Sequence, residues 1–245
     1  MEGIHISLKP EVIGHMGNIP ITNTLLMSWI VVLVLAFFGS MIGRRVALVP
    51  KKVQVAVELL FTSVLTYIEE TLEDKKLARK FFPLLMTIFL FIFTANALEF
   101  TPGIGSLGFF HGVDEFTPLL RSMNTDFNMT LALAIISFFV IEITGVAVLG
   151  FLKYFKKFVN VSSVMGFLVG IMELLSEVAR LISFSFRLFG NIFAGEVLIM
   201  VAMAFLPGLL PVPLMVFEVF VGFIQAAVFA LLTLFFVKIA VTEAH

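Results

Sequence analysis

Three stretches of this chain are too long and too apolar for an ordinary water-soluble fold. Ile21 to Gly43 is 23 residues without a charge, Phe81 to Leu98 is a second uncharged run, and Phe127 to Leu152 is a third, broken only by Glu142. As helices rising about 1.5 Å per residue, such runs cross a hydrocarbon core of roughly 30 Å. From Phe158 the chain stays apolar to Lys238, with single charges scattered through it. Composition leads to the same class: 60% of the residues are hydrophobic and 13% charged, with a mean hydropathy of +1.10. So few charges cannot cover a soluble surface of this size. The net charge of -1 excludes nucleic acid as a partner. The absence of cysteine excludes a disulfide framework, thiol catalysis and Cys-ligated metal. Residues 1–20 form a polar start, expected to be external, so the first span reads as a retained helix and not a cleaved signal peptide.

Between the first two spans the pattern changes. Leu60, Val64, Ile68 and Leu72 recur every four residues, while Glu69, Glu70, Glu73, Asp74, Lys75 and Lys76 crowd the far end. That predicts an amphipathic helix on the membrane surface over 51–78. Orientation follows from the basic residues. Arg44, Arg45, Lys51, Lys52, Lys75, Lys76, Arg79 and Lys80 fall between the first two spans, and Lys153, Lys156 and Lys157 follow the third; Lys9 and Arg121 alone lie in segments assigned to the other side. The N-terminus is therefore expected outside and the basic loops in the cytoplasm. The remaining segments read as spans over 21–47, 81–100 and 127–152, an external loop over 101–126, and long helices over 159–206 and 212–243. Pro207, Gly208, Pro211 and Pro213 separate that last pair. The expected fold is an all-α integral membrane domain: five membrane-embedded helices plus one surface amphipathic helix, the last two long and strongly tilted. A pair this long calls for a large protein partner on one face. No internal repeat of the transporter kind is present.

Ionisable groups within spans are costly, roughly 2.5 to 3.5 kcal/mol each at a helix centre, and mark candidate sites. At about 100° per residue, Arg180, Ser183, Arg187 and Asn191 share a stripe that Glu173 and Ser176 continue, whereas Glu196 points from the opposite side. Arg187 keeps its proton at any physiological pH, so it cannot relay one. It can attract an anion: two unit charges 4 Å apart interact by about 4 kcal/mol at an effective dielectric of 20. Ser183 and Asn191 occupy the places one turn away, which suits a transient carboxylate on another chain. The competing reading is a static pair with Glu218 or Glu142. Glu218 and Gln225, seven apart, share a face of the last helix. With Glu196 they fit a polar path from outside to mid-membrane, or else two protonated glutamates bonded to backbone carbonyls. Glu142 either joins a channel or pairs with Arg180.

The run Ser185-Phe-Arg-Leu-Phe-Gly-Asn-Ile-Phe-Ala-Gly-Glu196, preceded by Glu173, Glu177 and Arg180, closely resembles the signature of subunit a of the F-type ATP synthase, of bacterial type. The final helix with Gln225 and the Thr242-Glu-Ala-His245 tail are similar as well. The resemblance implies a proton-conducting stator subunit, non-catalytic by itself and without a cofactor, in a bacterial plasma membrane. Its implied partners are the c-ring, the peripheral stalk b subunits and the remainder of the complex. Arg187 would face the ring carboxylate and separate two offset half-channels. Glu196, Glu218 and Gln225 match outer half-channel positions, Asn191 a ring-facing position, and Arg180, Ser183, Glu173 and Glu177 would lie toward the cytoplasmic half. Many relatives carry histidine at one of the two positions occupied here by Glu196 and Glu218, so no imidazole relay is implied. Leu181 stands where many relatives have proline, and Asn96-Ala-Leu-Glu99 replaces a more apolar sequence. Glu99 then reads as an accessory acid of the outer path or, the favoured reading, a plain interfacial charge. A self-contained ion-coupled secondary transporter built on Glu142, Arg187 and Glu218 is the competing function, and a membrane scaffold with internally paired charges a third.

Other motifs carry little. Gly103-Ile-Gly-Ser-Leu-Gly108 matches a dinucleotide fingerprint, but it follows Pro102 in an external loop without a βαβ unit. The four histidines are scattered, which argues against a metal site. Gly166 and Gly170 suit close helix packing.

Overall fold

The computed structural model describes residues 9–44, 46–47, 50–101, 107–111, 115–158, 164–207 and 209–242. Most of the glycine motif at 103–108, the first eight residues and the tail beyond Thr242 lie outside them. The chain opens with a hairpin, β1 (Val12–Met16) and β2 (Ile19–Thr22), turned through Gly17 at φ +66, a conformation open to glycine at little cost. Thr22 then caps α1 (Asn23–Gly43), its hydroxyl accepting from the Leu25 amide. Next come α2 (Lys52–Leu72) and α3 (Lys75–Glu99). A second hairpin, β3 (Gly108–His111) and β4 (Glu115–Pro118), leads through a 3-10 turn at Met123–Thr125 into α4 (Phe127–Leu149), which Asp126 caps. The short α5 (Phe151–Phe158), then α6 (Val164–Phe205) and α7 (Pro211–Val241), complete the order. Five helices, α1, α3, α4, α6 and α7, are long and apolar enough to cross a membrane.

Several element bounds differ from those expected from the sequence, each for a local reason. Glu73 adopts φ 57, ending α2, and the Asp74 side chain accepts from the Lys76 and Leu77 amides to start α3 six residues before the uncharged run. The charge cluster is thus the break between two helices and the first turn of the second. Gly150, at φ 85, ends α4, and the chain turns back as α5, an element the apolar pattern did not disclose. The two hairpins were likewise not anticipated. Helix α2 is docked only through its C-terminal half: Ile68 and Leu72 are buried, whereas Val53, Leu59 and Leu60 are exposed. Lys238 of α7 donates to Glu73 at 2.7 Å, and this hydrogen bond holds the Glu73 carboxyl below the usual carboxylate range.

Helix α6 has 42 residues and α7 has 31. At about 1.5 Å per residue these measure roughly 63 and 46 Å, so neither fits a 30 Å core upright. They pack antiparallel. Gly195 meets Glu218, the Phe184 ring packs at a tilt on Phe229 and edge-to-face on Phe236, and Arg180 lies over Phe236. Helix α3 seals the other side of α7. Near the basic end, Ile68, Leu72, Phe81, Leu85, Ile141, Leu234 and Val237 form one core. Ile88, Ile92, Ala134, Phe184, Leu188, Ile192 and Phe229 form the middle.

At the hairpin end the core turns polar. Buried Asn96 of α3 donates to the Gly222 carbonyl at 3.0 Å and accepts from Asn124 at 2.6 Å. A Cβ at Gly222 would come within 2.7 Å of Asn96, so glycine lets the two helices close. Replacing Asn96 by leucine strands a buried carbonyl and a buried amide, each worth about 1–3 kcal/mol. Asn96→Leu is therefore expected to destabilise the subunit by several kcal/mol on that scale. Thermal unfolding in detergent measures this, and an unchanged midpoint would refute it.

Candidate functional site

The inner face of α6 is set by Phe184, Leu188 and Ile192, all buried, which turns Ser183, Phe186 and Asn191 outward. Arg187 sits on this outer side near mid-helix. Its Nη2 donates to Ser183 Oγ at 3.1 Å, and among the described residues it forms no ion pair. Neither intrachain acid considered for it is joined to it. Glu142 accepts from Tyr154, and Glu218 is packed on Gly195. The outer side of this part of α6 is largely apolar, with Ile182 and Phe186 both exposed.

A second group gathers at the hairpin end. Glu196 of α6 is ion-paired with Arg121 at 3.1 Å. Glu218 of α7 is 5% exposed, and a Cβ on Gly195 would run into its carboxyl. Glu99, at the end of α3, lies beside Ser122 and within electrostatic range of Arg121, Glu196 and Glu218. Its Oε2 is sealed from solvent, as is that of Glu218. That oxygen of Glu99 therefore faces the neighbouring elements and not solvent. Gln225, two turns beyond Glu218, is half-buried. The antiparallel register sets it level with Leu188, and among the described residues no hydrogen bond joins it to Arg187.

The third group lies at the basic end. Lys157 of α5 contacts Glu173 at 2.5 Å and Glu177 at 3.7 Å, and Arg180 contacts Glu177 at 2.7 Å. Arg180 leaves the stripe it shares with Ser183 and Arg187, because its guanidinium lies 4.0 Å from the Phe236 ring. Glu142 does not pair with Arg180; its Oε2 accepts from the Tyr154 hydroxyl at 3.0 Å. Burial, then the Glu142 carboxylate, push the Tyr154 phenol well above its ordinary value. The Tyr154 ring fits only because residue 145 is glycine, where a Cβ would collide with it. Between α4, α5 and α6 a cavity lined by Phe138, Glu142, Phe151, Tyr154, Phe158 and Glu177 opens beside this cluster. Among the described residues no group of His, Cys, Asp and Glu is arranged to hold a metal.

Sequence reasoning used Arg121 and Lys157 only as charges that set the orientation, and gave no site role to Tyr154 or Gly195. Arg121 carried a signal, being a lone cation in an acidic loop. The others have none, because Tyr154 and Lys157 enter the site only through the turn at Gly150.

Residues 25–238 match the family model described as ATP synthase A chain. The chain belongs to that family. Among curated relatives, ATP synthase subunit a 1 of Syntrophotalea carbinolica is 34% identical over 218 residues, covering 89% of this chain and 85% of that protein. ATP synthase subunit a of Campylobacter jejuni is 33% identical over 204 residues, 83% of each. That of Moorella thermoacetica is 29% identical over 230 residues, covering 94% and 95%. Family membership together with five apolar helices makes this a multi-pass membrane component of the ATP synthase, acting in its F0 sector.

Proposed function

We propose that this ATP synthase subunit is the stator half of a rotary proton path. It would offer two offset half-channels to a ring of c subunits, with the N-terminus outside and the C-terminus cytoplasmic. A proton enters at the hairpin end past Glu99, Glu196 and Glu218, descends toward Gln225, and neutralises a ring carboxylate, which then turns into lipid. After the ring's passage, Arg187 favours the ionised carboxylate, and the proton leaves past Ser183 and the Glu173, Glu177 and Arg180 cluster, with Glu142 nearby. The guanidinium blocks a direct leak because it repels a passing cation and cannot hand one on. Each proton gains about 2.3 kcal/mol per 100 mV of membrane potential. Catalysis is left to another part of the complex, and the b subunits would hold this one still.

The observation that carries this reading is the position of Arg187: on the outer face of α6, bonded to a neutral hydroxyl, with no ion pair to any acid among the described residues. A charge so placed is costly in lipid and awaits an acid from outside the chain. Reconstitution tests it. Liposomes holding this subunit alone should show no proton flux, and flux should appear when the ring and stalk are added. Flux from the subunit alone would favour a self-contained transporter instead.

A further inference from the structure

We propose that Arg121 is the standing counter-ion of the acid cluster at the hairpin end, committing Glu196 to an ion pair and leaving the proton to be passed by Glu99 and Glu218. The inference rests on the half-channel reading above and assigns its outer acids different roles. Arg121 Nη2 lies 3.1 Å from Glu196 Oε2, and the two side chains are 10% and 24% exposed. Little water can reach this pair to replace either partner, so breaking it strands a charge. Glu99 and Glu218 occupy the same region without that commitment: Oε2 of each is buried and accepts no hydrogen bond. A proton carrier must change charge readily. A carboxylate tied to a guanidinium cannot, because the guanidinium keeps its own proton throughout.

Four charged side chains from four elements face one another here: Glu99 from α3, Arg121 from the loop before α4, Glu196 from α6 and Glu218 from α7. The N-terminal segment adds the Lys9 carbonyl, which accepts from Arg121 Nη1 at 3.4 Å. Arg121 is thereby anchored from two directions, which fixes where its charge acts. With Arg121 paired to Glu196, the cluster gains one negative charge whenever Glu99 or Glu218 gives up its proton, and that charge draws the next cation inward.

The test uses the assembled ATP synthase in membrane vesicles, with proton-driven ATP synthesis measured per assembled complex against the pH of the proton-entry side. R121Q should lower the rate roughly tenfold, because it strands Glu196, and should change the pH profile; R121K should retain most of the rate. The double variant R121Q/E196Q should return to within about threefold of the parent, as coupled partners do. E218Q should stay inactive with or without the R121Q/E196Q changes. If R121Q reduces only the amount of assembled complex, with rate per complex and pH profile unchanged, Arg121 is a structural tie and the proposal fails. It fails equally if E196Q is as inactive as E218Q and the double variant does not recover, because Glu196 is then an obligate carrier. R187A separates the two levels: coupled synthesis in that variant would remove the half-channel reading itself, whatever Arg121 does.

Discussion

Arg187→Ala is expected to abolish proton-driven ATP synthesis while ATP hydrolysis by the detached catalytic sector continues at its ordinary rate. The guanidinium has one hydrogen bond, to Ser183, and no ion pair among the described residues, so its removal leaves no intrachain acid stranded. The fold should survive, since Phe184, Leu188 and Ile192 hold α6 in place from the other side. What is lost is the field on a passing carboxylate. At 4 Å and an effective dielectric of 20 that field is worth about 4 kcal/mol, roughly three orders of magnitude in the balance between ionised and protonated forms. The barrier to leakage between the half-channels goes with it. Arg187→Lys should rescue poorly, since an ammonium lacks the planar fork and can give up its proton when buried. Measuring synthesis in vesicles beside the amount of assembled complex decides the matter. Synthesis in the alanine variant at more than a few per cent of the parent would show that Arg187 does not have this role.

Gly195→Val is expected to have the next largest effect. Even the first carbon of any side chain at this position would clash with the Glu218 carboxyl, and valine adds two more. Overpacking of this kind costs about 1–3 kcal/mol. Here the atom in the way is also a candidate proton carrier, so relief of the clash displaces it. We expect a lower unfolding temperature in detergent and proton conduction reduced about tenfold or more, the equivalent of 1.4 kcal/mol or above in barrier height. Gly195→Ala should show the same two effects in weaker form, and shortening the acid with Glu218→Asp in that background should recover part of both. If Gly195→Ala leaves conduction and stability at parental values, the carboxyl is not held against α6 as described.

The three cation and acid groups were legible in the sequence to different degrees. Arg187 was the clearest, because a charge within an apolar helix identifies itself, and helical periodicity alone puts Ser183 and Asn191 beside it. Glu196 and Glu218 were visible for the same reason, yet the residue that pairs with Glu196 was not. Arg121 lies 75 positions away, in a loop whose path no periodicity describes. Arg180 illustrates the opposite failure. The helical wheel places it with Arg187, but the approach of Phe236 and the carboxylate of Glu177 draw its guanidinium toward the packed side. Glu142 was noticed as a lone acid, while its partner Tyr154 lies beyond a turn that depends on one glycine with φ 85.

The sequence by itself determined that this chain lives in a membrane, how many long helices it has, and which charges lie within them. Those properties follow from apolar length and from the cost of burying charge, both of which are local along the chain. Only the tertiary structure decided which acids meet. The antiparallel register of α6 and α7 brings Glu218 to Gly195, and the return of α5 brings Lys157 to Glu173 and Glu177. Such contacts depend on small residues permitting close approach between segments far apart in sequence. Hydropathy cannot register that, because a glycine reads alike whether its missing side chain leaves open space or makes room for a carboxylate.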